Sequence, residues 1–167
     1  SVFSGHALIQ RCQWHKRENV VGYLPKGEQM KFRLKLQEAY EKSTYTEAED
    51  ALKKIHRELS LINKSAAASL EEGLEETLTL HRLGLFTKLG RSFKTTNVIE
   101  SIQARLGQYT DKVDYWRNSD QKQRWVAAAL LDLEPRLHRV NGMKYLPELR
   151  IAVQQALGIQ KQEQMAA

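Results

Sequence analysis

Hydrophobic positions recur at helical spacing through most of the chain. Ala51, Leu52, Ile55, Leu59 and Ile62 fall three and four residues apart, and Leu70, Leu74 and Leu78 follow at intervals of four. Such stripes gather the apolar side chains on one face of an α-helix. The first stripe predicts a helix opened by Thr46-Glu47-Ala48-Glu49, read as a capping box with Thr46 as the cap. The second predicts a helix over residues 66–80. Upstream, Trp14, Val20, Val21 and Leu24 predict a helix from Trp14 that stops at Pro25-Lys26-Gly27. Residues 27–42 read as another helix, although Phe32, Leu34 and Leu36 also alternate as a strand would. Only Ala7-Leu8-Ile9-Gln10-Arg11-Cys12, apolar at first and β-branched at Ile9, offers a short buried strand.

Farther along, residues 81–90 read as a connector punctuated by Gly84 and Gly90. Ile99, Ile102, Leu106 and Tyr109 predict a helix over 97–109. Residues 110–120 are polar and turn-rich, and Ser119 or Asp120 is expected to cap a long helix through Trp125 and Leu131. Trp125 is expected in the core, and Glu134-Pro135 to kink or end that helix. After a turn at Asn141-Gly142, Pro147 starts a last helix that runs to Leu157 and stops at Gly158. The fold class is mainly α, with at most one short strand near residues 7–12, and residues beyond 158 are expected to fray.

Composition narrows this picture. The single cysteine, Cys12, excludes an internal disulfide. No apolar run approaches the roughly 20 residues a membrane-spanning helix needs, and no export signal opens the chain, so a bacterial cytoplasmic protein is expected. The net charge of +6 favours a polyanionic partner. Cations crowd residues 11–36 whereas residues 71–76 are acidic, which suits a nucleic-acid face on one side. A solubilised surface accounts for the charge equally well.

The chemistry-bearing segment is Lys94-Thr95-Thr96-Asn97-Val98-Ile99-Glu100. A cation, hydroxyls and Asn lead into a helix start, where backbone amides and the dipole favour an anion such as phosphate. With Asn97 as cap, Glu100 takes the third helical position, where a carboxylate folds back as half of a capping box. Against that, positions 100, 104 and 107 share a face and are Glu, Ala and Gly, which lets another surface approach the acid. From charge and location, Arg91, Lys94, Arg105 and Lys112 are phosphate-contact candidates, joined by Thr95, Thr96 and Asn97 at the helix start. Trp116, flanked by cations in the polar turn, is a candidate for stacking on DNA bases. Cys12 and His15 form a lone Cys-x-x-His. A structural zinc needs four ligands, so local hydrogen bonding is the simpler reading.

Five segments together resemble a known family: Gln10-Arg11-Cys12-Gln13-Trp14-His15-Lys16-Arg17-Glu18-Asn19-Val20, His81-Arg82-Leu83-Gly84-Leu85-Phe86, residues 91–101, residues 110–116 and Lys122-Gln123-Arg124-Trp125. In this order and spacing they are similar to Mutator-type bacterial insertion-sequence transposases of the DDE class, from Leu8 to about Leu157. The resemblance implies a ribonuclease-H-like catalytic core with an all-helical insertion between its second Asp and its Glu. Residues 1–24 would be a remnant of that core, 25–90 the helical insertion, 91–157 the core helices carrying the last acid, and 158–167 a disordered tail. Glu100 matches the final catalytic acid and metal ligand, and Cys12 and His15 match the family's Cys-x-x-His signature. The resemblance also implies two catalytic Asp residues upstream of Ser1, since the family's Cys-x-x-His signature follows its second Asp; Asp50, Asp111, Asp114, Asp120 and Asp132 stand in no matching motif. Mg²⁺ or Mn²⁺ would serve the full-length enzyme, with none expected on this chain and no activity expected from it alone. The implied partners are double-stranded DNA at element ends and target and further copies of the full-length enzyme, in the nucleoid and away from membranes. The rival readings are a non-catalytic helical DNA-binding or dimerisation module from a truncated element, and a protein-interaction bundle.

Overall fold

The computed structural model of the chain describes residues 7–158. The lead at Ser1–Gly5 and the expected tail beyond Gly158 lie outside the described residues. The chain divides into two units, one of residues up to 95 together with those from 141, the other of residues 96–140.

The first unit is built on four helices: α1 (Gln13–Gly22), α2 (Lys26–Tyr40), α3 (Tyr45–Ile62) and α4 (Lys64–Glu71). α1 packs on α2 and α4, and α3 does the same. Val20, Val21, Phe32, Leu36, Leu52, Ile55, Leu59 and Leu70 form their common core. The ambiguous 27–42 segment is a helix because Phe32 and Leu36 are buried while Leu34 between them is exposed, the period of a helix and not of a strand. A capping box opens α3, but Thr44 and Glu47 make it, not Thr46 and Glu49. Thr-x-x-Glu occurs twice, two residues apart, and the pattern alone does not separate them.

The single helix expected over 66–80 is broken. α4 ends at Glu71, Glu72 is extended and Gly73 is left-handed at φ +69°. Two short turns follow, α5 (Leu74–Thr77) and α6 (Thr79–Arg82). Gly73 suits this break twice over: glycine adopts positive φ without strain, and a Cβ there would meet the Arg11 guanidinium at 2.7 Å.

Residues 81–90 are not a plain connector either, since α7 (Phe86–Phe93) begins inside them. Gly90 serves packing here, because a Cβ on it would press on the Phe86 ring at 3.0 Å. Leu80, Leu85, Phe86 and Leu89 form a second cluster, covered by Tyr145, Leu146, Leu149 and Ala152. The last three of these sit on the final helix, Leu146–Ala156, which follows the expected turn at Asn141-Gly142.

No strand forms among the described residues, so the expected one over 7–12 is absent. Ala7 and Ile9 are exposed. The segment's backbone groups go to the broken region instead: Arg11 N–H donates to the Glu76 carbonyl at 2.8 Å, and the Thr79 hydroxyl to the Ile9 carbonyl at 2.6 Å.

The second unit pairs α8 (Asn97–Thr110) with α9 (Ser119–Leu133). Asn118, not Ser119 or Asp120, caps α9 through the Gln121 amide at 2.9 Å. Glu134-Pro135 ends the helix in a 3-10 turn. α8 buries none of its residues, and α9 buries only Ala129 and Leu133. Trp125, expected in the core, is 43% exposed and lies edge-on to Trp116 with ring centroids 6.1 Å apart. No helix among the described residues is long and apolar enough to cross a membrane.

Candidate active-site helix and nucleic-acid face

α8 begins at Asn97, so the cap is Thr96 and Glu100 lies on the fourth helical position, one residue past the capping-box register. The Thr96 hydroxyl donates to Glu100 Oε1 at 2.5 Å, and Glu100 N–H donates to the Thr96 carbonyl at 2.9 Å. The carboxylate is exposed. A helix start also favours negative charge, and the acid is oriented there without being buried. Ala104 and Gly107 continue its face, and the Asp111 carboxylate lies 3.1 Å from where a Gly107 Cβ would be. Glu100 and Asp111 are eleven positions apart along α8 and its C-cap, about 16 Å of rise, too far to share a metal ion. Among the described residues no three His, Cys, Asp or Glu side chains converge where a metal could be held. The carboxylates described here do not complete a metal centre.

The other candidates are divided between the units. Thr96, Asn97, Arg105, Lys112 and Trp116 accompany Glu100 in the second, whereas Arg91, Lys94 and Thr95 belong to the first. Arg105 reaches the Arg136 carbonyl at 3.5 Å, Lys112 is exposed and Trp116 is half-buried. Lys94 closes α7; its carbonyl accepts from Gln13 N–H at 2.9 Å, and its ammonium pairs with the Glu41 carboxylate. Lys94 and Thr95 line a cleft of about 200 Å³ with Trp14, Arg17 and Gln37. Lys94 and exposed Arg91 line a second of about 360 Å³ with Ser43 and Thr87. Glu41 borders both.

Cys12 is the N-cap of α1, its Sγ accepting from His15 N–H at 3.5 Å. The x-x spacing of this pair is thus the distance from an N-cap to the third helical amide. The His15 ring is exposed and meets Trp14 edge-on at 4.9 Å between centroids.

Three residues of the same segment escaped attention in the sequence. Gln10 and Gln13 both donate to the Thr77 carbonyl at 2.9 Å, and Gln10 Oε1 accepts from Leu80 N–H at 2.8 Å. Lys16, counted among the surface cations, is 4% exposed. Its ammonium donates to the carbonyls of Ser69 (2.8 Å) and Glu72 (2.5 Å) and to the Glu72 carboxylate (3.2 Å), where α4 ends. Arg11, and Lys16 after it, hold the Glu72 carboxyl below the usual carboxylate range. The available signal was positional: Gln13 and Lys16 fall seven and four residues before Val20 on one buried stripe. The Tyr40 phenol, beneath the smaller cleft, is pushed up to about 12 by burial, partly offset by the Thr77 hydroxyl. That hydroxyl donates to the Leu74 carbonyl at 2.6 Å and closes no well-formed hydrogen bond with the phenol.

The family described as Transposase, Mutator family matches residues 2–139. The chain belongs to the Mutator family of transposases. It is 33% identical over 103 residues to the transposase for insertion sequence element IST2 of Acidithiobacillus ferrooxidans. That alignment takes in 62% of this chain and 34% of the relative, so the chain spans about a third of the relative's length. No solved structure matches the chain.

Proposed function

We propose that this chain is the part of a Mutator-family DNA transposase that contributes the last acid of the catalytic set, Glu100, together with a face for double-stranded DNA. The observation that carries this reading is the exposed Glu100 carboxylate, fixed by the Thr96 hydroxyl at the start of α8, inside the stretch that matches the family. Mg²⁺ and Mn²⁺ favour oxygen ligands, and such an ion stabilises the oxygens exchanging at phosphorus during strand cutting and joining. Glu100 is one such ligand. The remaining carboxylates come from elsewhere in the whole protein, for which the relative's greater length leaves ample room.

α8 is the helix that packs on the sheet of a ribonuclease-H-like core. The absence of any buried residue on it, with Val98 and Ile99 exposed, supports a face to be covered in the whole enzyme. Arg91, Lys94, Thr95, Thr96, Asn97, Arg105, Lys112 and Trp116 contact element ends or target. Further copies of the transposase join them there, in the nucleoid. Exposed Val126, Leu130 and Leu131 on α9 favour a second reading, a helical DNA-binding or dimerisation module without chemistry.

The test is Glu100→Gln in the full-length transposase. Mn²⁺-dependent nicking of element-end DNA is expected to fall on the order of 100-fold or more, as loss of a metal-site residue does, while DNA binding persists. Unchanged nicking would end the assignment and favour the module.

A further inference from the structure

We propose that the two clefts flanking Lys94 are one groove for the phosphate backbone of duplex DNA, in which Glu41 holds Lys94 until a phosphate displaces it. The inference rests on the DNA-transposase reading and names the surface that reading uses in the first unit. Glu41 and Lys94 border both clefts, so their pair stands at the junction. Thr95 lies to one side with Arg17, whose guanidinium already donates to Glu18 and Gln37, and Ser43, Thr87 and Arg91 lie to the other. Guanidinium and hydroxyl donors of this kind take phosphate oxygens and fix register without reading sequence.

The position of Glu41 points the same way. It caps the C-terminus of α2, where the helix dipole disfavours an acid. The dipole cost and the ion pair with Lys94 are of similar small size, so the glutamate adds little net stability and is free to give up Lys94 to a phosphate. The Lys94 backbone is pinned to α1 through Gln13 N–H, so only its side chain need move. The two side chains are 28% and 51% exposed, which leaves their pair weak enough to exchange. On binding, the carboxylate is released to solvent and a phosphate oxygen takes its place.

The experiment measures binding of this chain to a labelled duplex by fluorescence anisotropy at low salt. Glu41→Gln is expected to tighten binding about threefold or more, because a competing charge is removed. Lys94→Ala is expected to weaken it, and Glu41→Gln on the Lys94→Ala background to gain markedly less. Equal gains with and without Lys94 would mean general repulsion and would overturn the competition, as would a silent Glu41→Gln. Binding that is absent or indifferent to salt in the wild type would sink the DNA reading itself. Amine labelling of the unmutated chain gives a second readout, independent of variant folding: DNA must protect Lys94, and labelling unaffected by DNA refutes the groove.

Discussion

Lys16 is a cation placed as if it were a core residue. Its ammonium meets two carbonyls at the end of α4, those of Ser69 and Glu72. Lys16→Met keeps the apolar stem and removes the donor. It is expected to lower the stability of this chain by about 1–3 kcal/mol, seen as a lower urea midpoint, because part-buried carbonyls lose their donor. The Glu72 carboxylate adds little to that figure, being 66% exposed. His81 makes a different prediction. It stacks on Phe86 at 3.7 Å, its Nε2 meets the Lys42 carbonyl at 3.1 Å, and burial pulls its imidazole below the ordinary histidine range. The folded state thus prefers the neutral ring. The stability this ring contributes is whole above the unfolded value near 6.5 and drains away as pH falls through the lower folded value. Urea midpoints at pH 7 and pH 5 should differ in the wild type, and His81→Gln should shrink the difference; an undiminished difference would assign it to other groups.

Among the elements, the capping box offers the sharpest contrast. Thr44→Ala removes the hydroxyl that accepts from the Glu47 amide at 3.3 Å and should cost about 1 kcal/mol. Thr46→Ala, two residues inside α3, should cost nearly nothing, with thermal melts of the two variants as the comparison. Helices were legible where an apolar stripe repeated, as in α1 and α3, whereas α2 stayed open between helix and strand because Leu34 is apolar yet exposed between Phe32 and Leu36. The break at Gly73 was not, because what ends α4 is a set of distant donors: Lys16 on its last carbonyls and Arg11 beside the glycine. Gly90 misled in the opposite sense, since a buried helical glycine looks in sequence like a loop residue. The Glu100 helix was legible to within one residue. Its cap was misplaced because Thr96 and Asn97 are both good capping types, and only backbone geometry distinguishes them.

At the scale of the molecule, order should be unequal. The first unit holds nearly all the fully buried side chains, whereas residues 96–140 bury only Ala129 and Leu133. Amide hydrogen exchange should therefore be slowest in α2 and α3 and much faster along α8, because opening energy follows buried apolar contact. Comparable protection in both would contradict this. The same imbalance explains why Trp125 was misjudged: an aromatic on a helical stripe is assigned to a core by habit, and α9 has almost no core to offer it. Family motifs were legible as motifs, but their physical work was not. Most of the segment from Gln10 to Lys16 ties residues 69–80 in place and leaves Trp14 and His15 facing outward.

That clasp joins residues 67 positions apart in the chain. During synthesis, α1 emerges from the ribosome long before α4 and the Thr77–Leu80 segment exist to receive it. Until then its glutamines and lysine must stay hydrated. A nascent chain halted before residue 69 would expose the Val20-Val21 face to chaperones, and resumption past residue 80 would let the clasp snap shut.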